Sequence, residues 1–497
     1  MKKLLMMLCC SAITLGAAAQ SFVTYTSSEG DYCRKGTAKA VGKSSGDVVL
    51  KADAGSPRQE FKSWGTCMNE LDWDALNILS ESDRNEILDI VFGQQDALSL
   101  GYTMGRITMN ANDYSRSWYS CDEVDGDFQL RYFNIDRDRE TTIPFIKETQ
   151  KRCKDMVFWM SPWSPPSWMK INHHYAVQSS KYNDLDPKKD YLLYGDDDRS
   201  ENEQVKPDPN KFPRRLATQD FFIQEPRYLQ TYADCFCRFI DEYAKEGIPI
   251  SMIMYQNEAY SYTAYPGCAW TSDGILRFNM EYLAPTLKRK HPEVALYLGT
   301  FNTNRLDHVD GLLSDSRMKD NIKGVGLQWE GRQILPQLHQ KYPDYEYISS
   351  ESECGWGAFG WGEAERTFFL MTDFIGNGCS RYTFWNCILT GGGVSPWGWR
   401  QSALVKVDSD NHTYTLCPEF YSVWHFAHFV RPGSRLLGFS SSEGKGVNAI
   451  AFLSPARKYV VIANNSSDEK KDISIAIGKK FLNISLDPHS MRTLVQK

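Results

Sequence analysis

The sequence predicts an α/β fold: a (β/α)8 TIM barrel with a flanking antiparallel β-sandwich built from the N-terminal segment and the C-terminus. Three observations predict it. Short apolar runs recur from about residue 61, each ending in polar or aromatic residues. Helical patterns separate most of them, as in parallel βαβ units. After about residue 430, apolar and polar residues alternate, with turn signals every ~8–12 positions, as in antiparallel strands.

The chain opens with MKKLLMMLCCSAITLGAAAQ. Lys2 and Lys3 form a basic region, Leu4 to Leu15 an apolar one, and Ala17-Ala18-Ala19 a small-residue cleavage site. Residues 1–19 therefore read as a secretory signal peptide. The expected location is the periplasm, cell surface or extracellular space. Cys9 and Cys10 raise a lipoprotein reading, against which stand Leu8, where a small residue is expected, and the shortness of the apolar run. No other apolar run approaches the ~20 residues of a membrane helix.

Residues 20–59, polar and Gly/Ser-rich with strand-like patches, supply N-terminal strands of the sandwich. The barrel is assigned to 60–405 and the C-terminal sandwich to 406–497. Eight runs supply the barrel strands: 61–70, 101–110, 156–164, 248–258, 295–302, 322–330, 345–351 and 379–386. Between them, SDRNEILDIVF offers Ser82 as a helix cap, with Ser80 the alternative; residues 225–247 begin near Pro226 and end on Gly247; residues 362–378 also end on glycine. The charged, Pro-rich stretch 172–224 follows the third strand, so it belongs to the barrel's C-terminal face, where such folds carry their sites.

Composition narrows the function. Loss of Lys2 and Lys3 with the leader takes the formal net charge from −6 to −8. No basic tract is present, which argues against nucleic acid and anionic membrane as partners. Eleven cysteines follow the leader, an odd number, so at least one lies outside any intrachain pair. Their spacing forms no double CxxC pattern for structural zinc. Aromatics reach 13%; for most of them that means a large core, with a cleft that stacks on sugar rings as the functional alternative.

Polar residues at the C-terminal ends of barrel strands read as catalytic. Glu258 ends the fourth run and Glu351 the seventh, 93 residues or about three βα units apart. Such ends share one mouth. Two carboxyls about 5–5.5 Å apart are what a retaining glycosidase uses. A Glu after an apolar run also commonly just meets solvent; Asn257 beside Glu258 strengthens the catalytic reading, because an amide there can bind the hydroxyl next to the reacting carbon. The stretch SSESECG offers a second acid, Glu353, and strand alternation puts it on the same face as Glu351.

The segments GRITMNANDYSRSWYS, FWMSPWSPPSWMK, IPISMIMYQNE, YEYISSESECGWG, YTFWNCILTGGGVSPWGWRQSALV and PEFYSVWHFAHFVRPGSRLLG occur in this order. From about residue 60 to the C-terminus the chain resembles glycoside hydrolase family 30, the family of lysosomal glucosylceramidase and of β-1,6-glucanases. The resemblance implies Glu258 as acid/base and Glu351, which follows the small Ser350, as nucleophile. It implies Asn257 on the 2-hydroxyl, Asp113 and Trp163 on outer hydroxyls, Trp385 as floor, and Arg106 keeping the nucleophile ionised. Glucosylceramidase has an aromatic Tyr after the sixth strand where this chain has QWEG, so Glu330 suggests a polar, hydroxyl-rich substrate region, against a plain loop carboxylate. Pro commonly follows the acid/base; here Ala259 does.

Other motifs carry less. Adjacent His173 and His174 cannot both face one ion from a helix or strand. The stretch TGGGVS at 390–395 lacks the Lys and Ser/Thr of a phosphate loop. The acidic run 196–198 reads as a solvated loop, with a weak calcium site as the alternative. The expectation is a monomeric, secreted, retaining β-glycoside hydrolase acting on a carbohydrate, without cofactor or metal. The favoured substrate is β-1,6-glucan; the alternatives are a glucosylceramidase-type β-glucosidase, a β-xylosidase or β-fucosidase and, in another class, a non-catalytic glycan-binding protein.

Overall fold

The computed structural model describes residues 20–189, 220–352 and 355–497. The leader with Cys9 and Cys10, the acidic run 196–198 and Glu353 lie outside the described residues.

Eight parallel strands close into a barrel in chain order. They are β1 (Ser63–Cys67), β2 (Met104–Met109), β3 (Val157–Pro162), β4 (Ile250–Met254), β5 (Ala295–Phe301), β6 (Gly324–Gln328), β7 (Glu346–Ser352) and β8 (Cys379–Phe384). Each falls within or against one predicted apolar run. The runs are nearly continuous in apolar residues because a strand here is buried on both faces, by helices outside and packed side chains inside.

The two inner layers differ in kind. Met104, Trp159, Met252, Met254, Tyr297 and Ile348 pack as a separate apolar cluster. Gly326 on β6 leaves room for it: a Cβ there would lie 2.5 Å from the Met254 sulfur. Two residues further along each strand, period two returns the same face. There β2 presents Arg106, β3 Ser161 and β7 Ser350, and Arg106 bonds to both serines. The barrel thus passes from an apolar plug to a polar mouth within one step of the pleat.

The helices follow their capping signals. Glu81–Phe92 is capped by Ser80, whose hydroxyl accepts from Asp83 N–H; Ser82 lies inside the helix and is not the cap. Pro226–Lys245 starts with proline in its first turn, and Gly247 takes φ +71° just beyond its end. Trp361–Gly376 packs against Pro418–Ala427, the helix that follows β8 after a small three-stranded sheet.

The sandwich takes strands from both ends of the chain. Ser21–Ser28 lies between Asp31–Lys39 and Ser490–Gln496 in a seven-stranded sheet, antiparallel to both. Asp47–Ala52 joins the second sheet beside Lys471–Ile477; that pair is parallel, an exception to the expected antiparallel pattern. Strands so distant in sequence are not joined by a hairpin, so no turn fixes their direction. His425, buried in Pro418–Ala427, sits between the hydroxyls of Ser27 and Thr493, 2.9 and 2.8 Å away. It fastens the last barrel helix to both terminal strands. Burial holds its imidazole down at about 3, hence neutral, as a partner of two hydroxyls can be.

Candidate active site

The site starts with Arg106, wholly buried on β2. A buried guanidinium needs a counter-charge and hydrogen-bond acceptors. Its Nη1 donates to Glu351 Oε2 at 2.6 Å and to the Ser350 carbonyl; its Nη2 donates to Asn257 Oδ1 at 2.8 Å and to Ser161. Its charge also lies over the rings of Trp159, Trp163 and Trp385, 4.8, 4.2 and 5.3 Å from their centroids. One cation therefore ties together β2, β3, β7 and the segment after β4.

A β-bulge aims Glu351. Leu327 pairs with Ser349 and the next residue, Gln328, pairs with Glu351, so Ser350 is the extra residue. Such insertions re-aim side chains beside active sites. Here the bulge turns Glu351 to Arg106 and frees the Ser350 hydroxyl for the Leu327 carbonyl. The other carboxylate oxygen, Oε1, accepts from the Trp329 indole at 2.9 Å.

Glu258 is placed by a different device. The regular strand β4 ends at Met254, but Gln256, Asn257 and Glu258 still bridge its neighbours. Asn257 N–H donates to Pro162 O, Thr300 N–H to Gln256 O, and Glu258 N–H to Thr300 O. Glu258 then takes φ +50°, a left-handed conformation that costs a non-glycine residue roughly 1–3 kcal/mol and clusters at functional positions. Its Oε1 accepts from Asn302 Nδ2 and, at 3.0 Å, from Gln328 Nε2; the Tyr265 hydroxyl lies 3.4 Å from Oε2. Gln256 serves the frame: its amide donates to the carbonyls of Trp163 and Asn257.

The mouth is electrostatically crowded. Burial pushes the Glu351 carboxyl up to about 7 against the pull of Arg106, and the charge of Glu258 adds to the rise. Arg106 acts in the expected direction, and burial exceeds it. Asp113 is a third carboxyl in the same field. Burial, then the charge of Glu351, raises it well above the usual range, with a smaller push from Glu258. Trp163 and Trp385 stack on each other at 5.1 Å and are each 1% exposed, so they form a wall beneath Arg106 with little open face.

All seven site residues singled out in the sequence are thus in one mouth. Asn302, Gln328, Trp329, Thr300, Ser161 and Tyr265 were missed. Polar or aromatic residues at or just past the ends of β5 and β6 were the available signal for Asn302, Gln328 and Trp329. Glu330 stands one residue too far along: its Oε2 accepts from Gln333, whereas Trp329 meets the carboxylate. A buried amide chain, Asn112 to Asn69 to Asn386 to Gln401, braces the opposite side of the mouth.

The minor motifs resolve as well. His174 engages both ring nitrogens, with Asp184 and with Ala176 N–H. Gly392 and Gly393 adopt positive φ in a turn, and the Gly393 carbonyl accepts from Tyr114. Among the described residues, no cluster of three or more His, Cys, Asp or Glu is arranged to hold a metal, no helix is long and apolar enough to cross a membrane, and ten cysteines are free.

A barrel mouth with two buried carboxyls, one on a guanidinium and one among amides, has the groups that a glycoside-cleaving enzyme uses. Comparison with known proteins agrees. The glycosyl hydrolase family 30 TIM-barrel domain matches residues 61–186 and 223–430, and the beta sandwich domain of that family matches 433–494. The chain belongs to glycosyl hydrolase family 30 and is a glycoside hydrolase. It is similar to "Putative glucosylceramidase 3" of Caenorhabditis elegans, 24% identical over 97% of this chain and 89% of the relative. It is also similar to "Endo-1,6-beta-D-glucanase BGN16.3" of Trichoderma harzianum, 23% identical over 86% of this chain and 81% of the relative. Among solved structures, "The endo-beta1,6-glucanase BT3312" shares the fold, with a TM-score of 0.74 at 19% identity, covering 96% of this chain and 99% of that one.

Proposed function

We propose that the protein is a secreted retaining β-glycosidase that works by double displacement, with β-1,6-glucan as its substrate. The observation that carries this is the Arg106 guanidinium, which holds Glu351 with one nitrogen and Asn257, the neighbour of Glu258, with another. The adjacent cation favours the ionised form of Glu351, the form that attacks. Glu258, held among the Asn302 and Gln328 amides and with no cation on it, takes the role of proton donor. Glu351 attacks the anomeric carbon as Glu258 protonates the leaving oxygen. Glu258 then takes a proton from the water that releases the sugar from Glu351.

Asn257 spends its Oδ1 on Arg106 and Thr300, which orients its NH2 as the donor for the 2-hydroxyl. Asp113, whose carboxyl is pushed up by burial and by its acidic neighbours, binds an outer hydroxyl. Trp163 and Trp385 back the bound ring and keep Arg106 dry, which strengthens its hold on Glu351.

The leader supports export. For the substrate, the names of the Trichoderma relative and the solved glucanase point to β-1,6-glucan. Glucosylceramide is the second reading, favoured by the name of the nematode relative. Product analysis on β-1,6-, β-1,3- and β-1,4-linked glucans and on glucosylceramide decides between them. The roles are tested by azide. With Glu351→Gly, azide entering from the vacated face gives the α-glycosyl azide; with Glu258→Ala, azide attacking the glycosyl-enzyme gives the β-anomer. Full activity in both variants without azide overturns the mechanism, and loss in Glu353→Gln with none in Glu351→Gln moves the nucleophile.

A further inference from the structure

We propose that Tyr265, Trp399 and Trp356 form a binding subsite for a pyranose ring on the leaving-group side of the scissile bond. The inference rests on Glu258 being the proton donor. A group that protonates the glycosidic oxygen stands beside the departing sugar, so whatever lies next to Glu258 on its solvent side meets that sugar.

An aromatic series occupies this place. The Tyr265 hydroxyl is 3.4 Å from Glu258 Oε2, and its ring lies 6.3 Å from that of Trp399. Trp399 in turn lies 5.3 Å from Trp356, with the planes 67° apart. Trp356 is 44% exposed. A lone exposed aromatic needs no explanation, but three in succession from a buried carboxyl to solvent form one surface. The steep angle makes that surface stepped, so separate ring faces are presented rather than one smooth groove. The apolar C–H faces of a pyranose stack on such faces while its hydroxyls stay in water, and aromatic anchors dominate recognition energies.

Trp399 is held for this task. The Ser395 hydroxyl accepts from its backbone N–H and from that of Trp397. Gly398, at φ +78°, lets the chain turn between them. Trp397 therefore goes the other way, into contact with Tyr175, whose ring stacks on Trp118.

The subsite is tested with two substrates of one enzyme. β-Glucosyl fluoride places only fluoride on the leaving side, whereas 6-O-β-glucosyl-glucose places a pyranose there. For Trp399→Ala, and for Trp356→Ala, whose exposed ring can be lost without unfolding, the ratio of kcat/KM for the disaccharide to that for the fluoride should fall about ten- to hundredfold. Added glucose should intercept the glycosyl-enzyme less well than in the parent. An unchanged ratio, with the parent active on the fluoride, overturns the subsite and leaves the mechanism standing. A fall confined to glucosylceramide overturns it in favour of a lipid chain. A parent inactive on the fluoride overturns the reading of Glu258 and Glu351 on which the inference rests.

Discussion

Arg106 and Glu351 meet at 2.6 Å with neither side chain more than 6% exposed. Removing the cation leaves a buried carboxylate without its partner. Arg106→Gln should lower kcat/KM on the order of a hundredfold or more and destabilise the fold by about 3–5 kcal/mol. Thermal denaturation beside kinetics checks both. Arg106→Lys should recover part of the stability and little of the activity, because one ammonium cannot span Glu351, Asn257 and Ser161 as a fork does.

Glu351 sets one limb of the pH profile. Its carboxyl lies at about 7 and must be ionised to attack. kcat/KM should therefore rise as pH climbs through about 7. In Glu258→Gln the charge that helped to raise Glu351 is gone, so this limb should move to lower pH in the residual turnover of β-glucosyl fluoride. A limb that stays unmoved in this variant contradicts the action of the Glu258 charge on Glu351.

Trp329 stabilises the ionised form of Glu351 through its indole N–H. Trp329→Phe keeps an aromatic ring and removes the bond. The pH at which Glu351 ionises should rise by on the order of one unit. Difference titration of the parent and variant reads it directly.

Glu346 lies at the opposite end of β7 and serves stability. Burial would raise its carboxyl, but Lys62, Ser380 and Arg381 together outweigh burial and bring it down to about 2. Its folded value is below its unfolded one. The stabilisation is therefore present above about 4.5 and is lost as pH falls toward 2. Its size is roughly 2–4 kcal/mol. Glu346→Gln should show that loss at neutral pH in denaturant melts, with a flatter acid dependence.

The ten described cysteines are free, and nine of them are buried. Burial raises the thiol of each. Reductant should leave the melting temperature within about 1 °C; a larger drop would reveal a disulfide.

The barrel was legible because burial on both faces writes a run of apolar residues eight times over. Glu258 and Glu351 were legible because each breaks such a run. What aims them was not. The bulge at Ser350 and the positive φ of Glu258 are consequences of pairing with β6 and β5, and neither leaves a residue type that demands it. Tyr265 and Asn302 act from loops whose path depends on neighbours far along the chain. The parallel pairing of Asp47–Ala52 escaped notice for the same reason. Ser80 and Ser82 are both able caps, and only the position of the first helical turn separates them.

Thr26 and Arg492 touch across the outer sheet although they stand 466 positions apart in the chain. A ribosome releasing this chain delivers Ser21–Ser28 first and its mate Ser490–Gln496 last. The strand pair that His425 locks to the barrel cannot form until synthesis is almost over. A molecule built this way stays without its closing seam while it is being made, and acquires its full cooperativity only when the tail arrives. Truncation from either end should thus cost the barrel its support as surely as it costs the sandwich a strand.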